Sequence, residues 1–237
     1  MSLRSTIATP DGKRRYVGRL FATIADRYDL ITVLLSYGMD RTWKDRLIAL
    51  AGIDPGDRVL DLACGTGDLL FRAAARTRQA VGLDVTLRML QLAAAKKNRP
   101  PAPLVAGDML ALPFPSAQFS VVTIGYGLRN VPDIGRAVGE IARVLEPGGR
   151  LLSLDFDKPA QPLVRAAYLV YLTAVGSALG FLLHRDPDTY RYIPESIRSY
   201  PGAGAVARLL EQHGFTDVRV VPLLGGLMAI HLATRSR

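Results

Sequence analysis

A glycine-containing turn after an apolar run is the strongest chemical signal in the sequence. Residues 59–68 read VLDLACGTGD, so a β-like run passes into Gly65 and Gly67 and then into a predicted helix that begins at Asp68. Glycine lets the backbone approach a ligand closely, and the first turn of a helix offers free N–H groups. We therefore expect one end of a ligand to bind at this turn.

Two carboxylates near the turn indicate which ligands it favours. A dinucleotide-binding turn has the pattern G-x-G-x-x-G, but Asp68, Leu69 and Leu70 follow Gly67, so the third glycine is absent. Asp61 and Asp68 flank the turn, which disfavours a pyrophosphate. The turn is better suited to a ligand that carries a cation and an ammonium group than to one that carries phosphates.

Polar residues also follow the next apolar runs. Asp84 ends the second run, where its carboxylate can accept hydrogen bonds from both hydroxyls of a ribose. Asp108 and Met109 follow the third run and offer an acceptor for an adenine amino group and an apolar wall for the ring. The ribose position alone fits NAD and S-adenosylmethionine equally. The whole set in this order is a much stronger signal than a single G-x-G.

The elements that must position these residues alternate between β-like runs and helical stretches. The predicted strands span residues 58–63, 80–85, 103–106, 119–125 and 150–156, and the predicted helices between them span 68–77, 86–98 and 133–145. Such alternation predicts an α/β fold, with a parallel sheet covered by helices on both faces.

The C-terminal third follows a different pattern. A helix at 202–213 precedes two strand-like runs, 218–224 and 227–233, which only Gly225 and Gly226 separate. So short a connection requires an antiparallel pair, because a parallel crossover needs about a dozen residues. We expect a Rossmann-like seven-stranded mixed sheet in one domain over residues 1–237, with residues 1–50 as a helical N-terminal lid and residues 157–200 inserted before the last helix and strands.

Residues 166–183 form an apolar stretch without a charge, at the length threshold for a membrane-spanning helix. The many small residues make it only weakly apolar, and the chain must return afterwards to complete the sheet. We favour a buried core or dimer helix, with a lid over an apolar substrate as the alternative. The polar and aromatic segment 190–200 reads as a loop that frames the substrate entrance.

Composition and charge narrow the classes of protein. The chain has 237 residues, of which 49% are hydrophobic and 22% are charged, which excludes disorder and collagen-like repetition. The chain has a single cysteine, so it cannot be a disulfide scaffold, and we expect a reducing compartment. No cluster of cysteine or histidine has the spacing of zinc ligands, so we expect no metal. The first thirty residues lack the apolar run of a secretory signal, which favours a cytoplasmic location. Thirty Lys and Arg against 21 Asp and Glu give a net charge of +9, which suits an anionic partner.

Several further motifs complete a family pattern. They are DRYD at 26–29, LSYG at 35–38 with Arg41 and Trp43-Lys44, the turn at 61–68, LPFP at 112–115, GLRNV at 127–131, YRYIPESI at 190–197, and 225–231. With these motifs, the sequence resembles class I S-adenosylmethionine-dependent methyltransferases, and more narrowly the ubiquinone/menaquinone biosynthesis C-methyltransferase family. The GLRNV and C-terminal motifs are far more specific than the glycine turn.

The resemblance implies S-adenosylmethionine as cofactor, with its methionine part near Thr66, its ribose at Asp84 and its adenine at Asp108 and Met109. The cofactor-binding residues implied are Asp61, Gly65, Thr66, Gly67, Asp84, Val85, Asp108, Met109 and Gly125. The chain departs from the family pattern at two positions. Gly125 replaces a serine that would contact the cofactor, and Leu224 replaces a threonine before the paired glycines.

The resemblance further implies methyl transfer to a ring carbon of a prenylated demethylquinol. Such a carbon is a poor nucleophile until an adjacent phenol loses its proton, so we expect a base or a cation that stabilises phenolate. We assign Arg129 to the phenolate, Asn130 and Tyr126 to the ring, and Tyr28 and Tyr37 to its closure. Arg191 is expected at the substrate entrance. His231 is expected to be structural, His184 and His213 superficial, and Cys64 a packing residue.

Three classes of function remain open from the sequence. The first is a quinol C-methyltransferase, the second a methyltransferase of another small aromatic or polyketide-like metabolite, and the third a non-catalytic module that binds the cofactor or nucleic acid. The arginines are dispersed and no aromatic platform accompanies them, which disfavours nucleic acid. A prenylated quinol lies in the membrane, so we expect peripheral contact with anionic lipid on the inner face of the membrane and consider a homodimer as well.

Overall fold

The structure is a computed structural model that describes residues 3–36, 38–159 and 161–237, without the side chain of Arg4. Its helices are α1 (Leu3–Ile7), α2 (Pro10–Ile24), α3 (Tyr28–Leu35), α4 (Asp40–Ala51), α5 (Asp68–Ala74), α6 (Leu87–Ala95), α7 (Ile134–Val144), α8 (Pro162–His184), α9 (Tyr192–Ser199) and α10 (Ala203–Gln212). Its strands are β1 (Arg58–Leu62), β2 (Gln79–Asp84), β3 (Leu104–Ala106), β4 (Phe119–Gly125), β5 (Leu145–Phe156), β6 (Phe215–Leu223) and β7 (Met228–Arg235).

The strands form one seven-stranded mixed sheet in the order β3-β2-β1-β4-β5-β7-β6. The first five strands are parallel, while β7 is antiparallel to both β5 and β6. This confirms the predicted sheet, including its C-terminal antiparallel pair. The chain order reverses between β1 and β4, and ligands of such sheets bind where the carboxyl ends of the strands flank that reversal.

Sequence patterns explain why the flanking helices form where they do. In α7, the side chain of Asp133 caps the first turn by accepting from the backbone N–H of Arg136 at 2.9 Å. Ala137, Val138, Ile141 and Val144 then recur at helical spacing and are fully buried against the sheet. The central strands are buried on both faces, as β1 shows with Val59, Leu60 and Leu62 at 0% exposure.

The N-terminal helices pack over the carboxyl edge of the sheet. Lys13 of α2 donates to the backbone carbonyls of Arg129 and Val131 at 2.9 and 2.7 Å. Arg14 of the same helix pairs with Asp108 at 2.5 Å. Burial lowers the pKa of Lys13 to about 8. These contacts join α2 to the loops after β3 and β4, which is the edge where a ligand would bind.

Two predictions about residues 157–200 need correction. Helix α8 is not a buried core helix, because only Leu172, Gly176 and Gly180 are buried along it. Leu163, Val170 and Leu182 are 85%, 67% and 71% exposed, whereas Gly176 and Gly180 pack closely against the segment before α9. The second correction concerns residues 190–200, which fold into α9 rather than remaining a loop, with Tyr192 and Ile197 buried.

Candidate active site

The first cavity lies where β1, β2, β3 and β4 end. It encloses about 850 Å³ of space that is partly open to solvent. Its floor is formed by the turns after the strands, and α2 forms the opposite wall through Arg14, Val17, Gly18 and Phe21. The predicted cofactor residues that line it are Gly65, Asp84, Val85, Asp108, Met109 and Gly125. The structure therefore brings the ends of four strands together around one elongated space.

The turn after β1 is fixed by two glycines with positive φ and by a hydrogen bond to a side chain at the end of β2. Gly65 and Gly67 have φ of +54° and +87°, which favours glycine, and the N–H of Gly65 donates to Asp84 Oδ2 at 2.9 Å. A Cβ atom on Gly67 would meet the ring of Phe71 at 2.4 Å. Gly67 does not line the cavity but ends the turn as the residue before α5. Gly67 therefore affects the site only by setting the course of the backbone between β1 and α5.

Asp84 and Asp108 place acceptors on the wall of this cavity after the neighbouring strands β2 and β3. Both oxygens of Asp84 accept backbone N–H groups, from Gly65 at 2.9 Å and from Thr86 at 2.7 Å. Burial nevertheless raises the pKa of Asp84. Asp108 accepts from the N–H of Leu110 at 2.9 Å and forms an ion pair with Arg14. Val85, which follows Asp84 in the sequence, is 57% exposed.

A smaller cavity continues beyond the glycine turn. Its lining residues are Tyr28, Lys44, Asp61, Ala63, Cys64, Gly65, Thr66, Asp68, Leu69, Gly125 and Tyr126. Asp61 is buried on β1 and accepts from Thr123 Oγ1 at 2.6 Å, while its Oδ2 makes no hydrogen bond of ordinary length with a described residue. Burial raises the pKa of Asp61 to about 7. A buried acceptor that is incompletely satisfied favours a ligand with a donor, and an ammonium group supplies one.

Ionic contacts connect this smaller cavity to the N-terminal helices. Lys44 Nζ donates to Asp40 Oδ2 at 2.7 Å and to Asp68 Oδ2 at 3.0 Å. Burial opposes the charge of Asp68, but Lys44 and Lys96 outweigh it and lower the pKa of this carboxyl to about 2. Lys96 also pairs with Asp29 at 2.9 Å. The charged groups thus join α3 and α4 to the beginning of α5.

Gly125 lies at the end of β4 and lines both of these cavities. A Cβ atom at this position would lie 2.8 Å from Cδ1 of Leu69. Leu69 therefore occupies the space that a side chain at position 125 would need. A serine at this position would require Leu69 to move.

A third space, the aromatic cavity, lies between the N-terminal helices, α8, α9 and the loop after β4. It is lined mainly by apolar and aromatic side chains, including Leu20, Phe21, Ile24, Ile31, Tyr168, Tyr190, Tyr192, Leu224 and Met228. The polar groups on its wall are few and include Arg129, Tyr126, Tyr28, Thr32 and Ser36. An apolar space with few polar groups is suited to an aromatic ligand.

Arg129 is held rigidly at the wall of the aromatic cavity. Its Nη1 donates to Asp155 Oδ1 at 3.0 Å and to the carbonyl of Tyr126 at 2.9 Å, and its guanidinium lies 4.7 Å from the ring centre of Phe156. Burial opposes the charge of Arg129, but Asp155 outweighs it and raises the pKa of this group. Nε has no partner among the described residues. Arg129 therefore stays cationic and retains donor capacity.

Tyr126 lines the aromatic cavity as well, while Asn130 lines the first cavity and supports the aromatic wall from behind through its hydrogen bonds. Asn130 donates to the carbonyl of Tyr126 at 2.7 Å and accepts from Tyr192 Oη at 3.1 Å. Tyr126 has φ of +59°, which is uncommon for a large side chain, and its hydroxyl donates to Asp40. Tyr126 and Tyr28 are the described residues that line all three cavities. The two tyrosines thus lie where the three cavities adjoin.

The comparisons with known proteins agree with this arrangement. The model of the ubiE/COQ5 methyltransferase family matches residues 9–235. This chain belongs to that family. Demethylmenaquinone methyltransferase of Mycolicibacterium gilvum (strain PYR-GCK) is 39% identical over 219 residues, which cover 92% of this chain and 94% of the relative. Ubiquinone/menaquinone biosynthesis C-methyltransferase UbiE of Teredinibacter turnerae is 38% identical over 238 residues, with 98% and 95% covered.

Solved structures show the same fold at lower identity. A SAM-dependent methyltransferase from Thermotoga maritima superimposes with a TM-score of 0.65 at 15% identity, covering 93% of this chain and all of that chain. Phosphoethanolamine N-methyltransferase 2 of Haemonchus contortus, in complex with S-adenosyl-L-methionine, gives 0.61 at 15% identity, covering 83% and 53%. The chain is a methyltransferase of the ubiE/COQ5 family, and its cofactor is S-adenosylmethionine.

The structure does not bring every predicted site residue of this family member to the site. Arg191 lies outside the described cavities and pairs with Asp188 at 3.3 Å, with its side chain 57% exposed. Tyr37 lies outside the described residues. His231 is buried on β7 and its Nε2 contacts the carbonyl of Ala203 at 3.0 Å, away from the cavities. These contacts give Arg191 and His231 local structural partners.

Sequence reasoning missed the residues that support the site from other elements. Asp155 beneath Arg129 and Asp40 beside Tyr126 were not assigned roles, and Tyr190 and Tyr192 were predicted only as part of a segment at the substrate entrance. Lys44 was noted only as part of a motif. A signal existed for Asp155, because a carboxylate at the end of a buried strand needs a partner. Nothing in the sequence shows that α4 lies against the turn after β1.

Proposed function

We propose that this enzyme methylates a ring carbon of a demethylmenaquinol or a related prenylated quinol in quinone biosynthesis. The observation that carries the proposal is the shared wall of Tyr28 and Tyr126, which lies between a nucleoside-sized cavity that contains Asp84 and Asp108 and an aromatic cavity. The relatives from Mycolicibacterium gilvum and Teredinibacter turnerae carry quinone-biosynthesis names. Leu224 lines the aromatic cavity and makes it more apolar at this position than a threonine would.

The residues of the first two cavities fit S-adenosylmethionine. We assign Asp84 to the ribose, Asp108, Met109 and Val85 to the adenine, and the turn at Gly65 and Thr66 to the methionine part. The unsatisfied Oδ2 of Asp61 suits the ammonium group. When bound, the cofactor supplies an electrophilic methyl group on a sulfonium sulfur.

The aromatic cavity then has to hold a quinol so that a ring carbon faces this methyl group. Arg129 contributes a permanent cation, and its donors can stabilise the oxygen of the ring once that oxygen carries negative charge. Asn130 and Tyr192 fix the wall through their hydrogen bond, and Tyr28 limits the ring from the side of α3. Much of the rate enhancement is expected from this alignment.

Methyl transfer to a panel of acceptors tests the proposal directly. The purified enzyme is incubated with S-adenosylmethionine and with demethylmenaquinol, a demethylubiquinol precursor, a tail-less naphthohydroquinone, a small polyketide-like phenol and RNA. Mass spectrometry should show a C-methylated prenylated quinol. A product from the polyketide-like phenol alone would support the second class of function instead, and binding of the cofactor without any product would support a non-catalytic module.

We also propose that the enzyme contacts an anionic membrane on its cytoplasmic side through α3 and α8. Leu30 and Leu34 of α3 are 51% and 44% exposed, and α3 contacts α8, which carries further exposed apolar residues. Exposed Arg165 and Arg185 lie near the two ends of α8. An apolar strip between cationic ends is complementary to anionic lipid, and the same two helices border the aromatic cavity through Ile31 and Tyr168.

Helix α8 is long and apolar enough to cross a membrane by length and composition, and 17% of its most apolar window is buried. The strands before and after it belong to the same sheet, since β5 pairs with β7 over seven residue pairs. A spanning helix would place these paired strands on opposite sides of the bilayer. We therefore propose that α8 lies along the membrane surface. The alternative is that a second copy of this chain covers this face in a homodimer.

A further inference from the structure

A buried hydrogen bond connects the shared wall of the cavities to a carboxylate in the N-terminal helices. Tyr126 Oη donates to Asp40 Oδ1 at 2.7 Å, and Asp40 is 2% exposed. A phenylalanine could close the same wall by packing alone. A tyrosine in a positive-φ conformation, with its hydroxyl on a buried carboxylate, indicates that the hydroxyl itself is used.

This hydrogen bond is the first link of a longer chain. Asp40 Oδ2 accepts from Lys44, and Lys44 also donates to Asp68 Oδ2 at 3.0 Å. Asp68 Oδ1 accepts from Lys96 Nζ at 3.1 Å, and the Lys96 side chain is 29% exposed. Polar groups therefore follow one another without a gap from the wall of the aromatic cavity to solvent.

The chemistry of the proposed reaction needs a proton acceptor near that wall. A ring carbon becomes nucleophilic when the adjacent hydroxyl gives up its proton, and Arg129 cannot take this proton because a guanidinium has no acceptor atom. Asp155 is occupied by three donors: Nη1 of Arg129, the N–H of Arg129 and the N–H of Phe156. Of the described groups on the wall, the Tyr126 hydroxyl has an acceptor atom and a carboxylate directly behind it.

We propose that Tyr126 relays the proton of the substrate hydroxyl to Asp40. The substrate O–H bond breaks as a new O–H bond forms at Tyr126 Oη, and the proton that Tyr126 held passes to Asp40 Oδ1. The electron pair stays on the substrate oxygen, beside Arg129. After methyl transfer the ring carbon loses its hydrogen to water, and the proton on Asp40 returns through Tyr126 to the substrate oxygen. This inference rests on the proposed function, because it requires an acceptor with a ring hydroxyl.

The variants Tyr126→Phe and Asp40→Asn test the relay against a purely structural role. We expect each to lower kcat roughly 10²-fold with the quinol, while the Kd for S-adenosylhomocysteine, measured by calorimetry, changes less than about twofold. The double variant should be no slower than the slower single variant, because both changes break one path. Tyr126→Phe keeps the ring that closes the wall, so it remains informative if Asp40→Asn fails to fold.

Acceptor acidity supplies a readout that a packing defect would not move. A quinol with enough ring fluorine to bring the pKa of its hydroxyl below the assay pH should be methylated by Tyr126→Phe at nearly the wild-type rate. Wild-type kcat for Tyr126→Phe with the ordinary quinol would overturn the relay, as would an equal loss with both acceptors. If the wild-type enzyme methylates no quinol at all, the proposed function fails, and the relay fails with it.

Discussion

At the scale of single residues, the electrostatics of the site depend on which buried charged groups form ion pairs. Asp68 is matched by Lys44 and Lys96, and Arg129 by Asp155. Asp61 forms no ion pair with a described residue, and burial raises its pKa although Lys44 opposes this rise. A buried carboxyl without an ion pair favours its protonated form until a ligand brings positive charge. Asp61 is thus the residue whose charge should respond to the cofactor.

We predict that S-adenosylhomocysteine binds more tightly as pH rises through about 7, the pKa of Asp61. Below this pKa the carboxyl is mostly neutral and offers the ligand's ammonium group no charge. Between pH 6 and 7.5 the ionised fraction rises roughly eightfold, and the affinity should rise by a similar factor. Calorimetric titration across this range measures the effect.

The control ligand is 5′-methylthioadenosine, which lacks the amino-acid end and should bind equally well at both pH values. In Asp61→Asn the pH dependence for S-adenosylhomocysteine should disappear while the affinity for 5′-methylthioadenosine is kept. A pH dependence that persists in Asp61→Asn would show that another group senses the ammonium.

At the scale of elements, α8 approaches the rest of the molecule most closely at two glycines, while Leu172, Leu179 and Leu183 add apolar contact. Gly176 and Gly180 lie on its buried face, and a Cβ atom on Gly180 would come within 2.5 Å of the backbone oxygen of Asp186. The backbone at Asp186 cannot move away from an added Cβ atom as easily as a flexible side chain could. Close contact of this kind keeps α8 on the molecule while its apolar outer face remains exposed.

We predict that Gly180→Ala lowers the free energy of unfolding by about 1–3 kcal/mol, the usual cost of overpacking. In a helix without this contact, the same change would stabilise the protein by up to about 1 kcal/mol. Gly139 of α7 is the matched control, because a Cβ atom there would meet His213 at an ordinary 3.7 Å. Urea unfolding that shows Gly180→Ala to be as stable as Gly139→Ala would contradict the close packing of α8.

At the scale of the whole molecule, the sheet and the charge act together. The sheet brings four strand ends to one edge, where the first cavity opens, and α3 and α8 add an apolar face beside the aromatic cavity. The net charge of +9 attracts the whole enzyme to an anionic surface. The apolar face can then meet the bilayer that holds a prenylated quinol.

We predict that the enzyme sediments with vesicles that contain phosphatidylglycerol at low salt and much less with phosphatidylcholine vesicles. High salt should release part of the bound protein, since each Lys or Arg near the surface contributes about 1 kcal/mol of screened attraction. Val170→Ser on α8 should weaken binding, whereas Leu87→Ser on α6 should not, although these residues are similarly exposed at 67% and 62%. Docking through α8 would be refuted if the two changes had equal effects, or if the protein were absent from every pellet. Analytical ultracentrifugation tests the alternative. A dimer that dissociates in Val170→Ser would assign this face to a second copy of the chain.

Much of the fold was readable from the sequence because its signals are local. Alternation of apolar runs with helical stretches predicted the parallel strands, and the two glycines at 225–226 predicted the antiparallel pair. The extents of some elements were not readable. Strand β5 begins at Leu145 instead of residue 150, since Glu146 to Gly149 continue as an irregular part of the strand, and α9 forms because Tyr192 and Ile197 find a buried face.

The sequence by itself determined the sheet, the cofactor edge and the family, because glycine turns, strand-end carboxylates and short motifs keep their meaning without tertiary context. Only the tertiary structure decided which charges meet: Asp40 lies 86 residues from Tyr126 in sequence, and Asp155 lies 26 residues from Arg129. It also decided that α8 is exposed, because composition is the same for a helix that faces the core and one that faces outward. Contacts between distant segments depend on how the layers pack, and no local pattern specifies that packing.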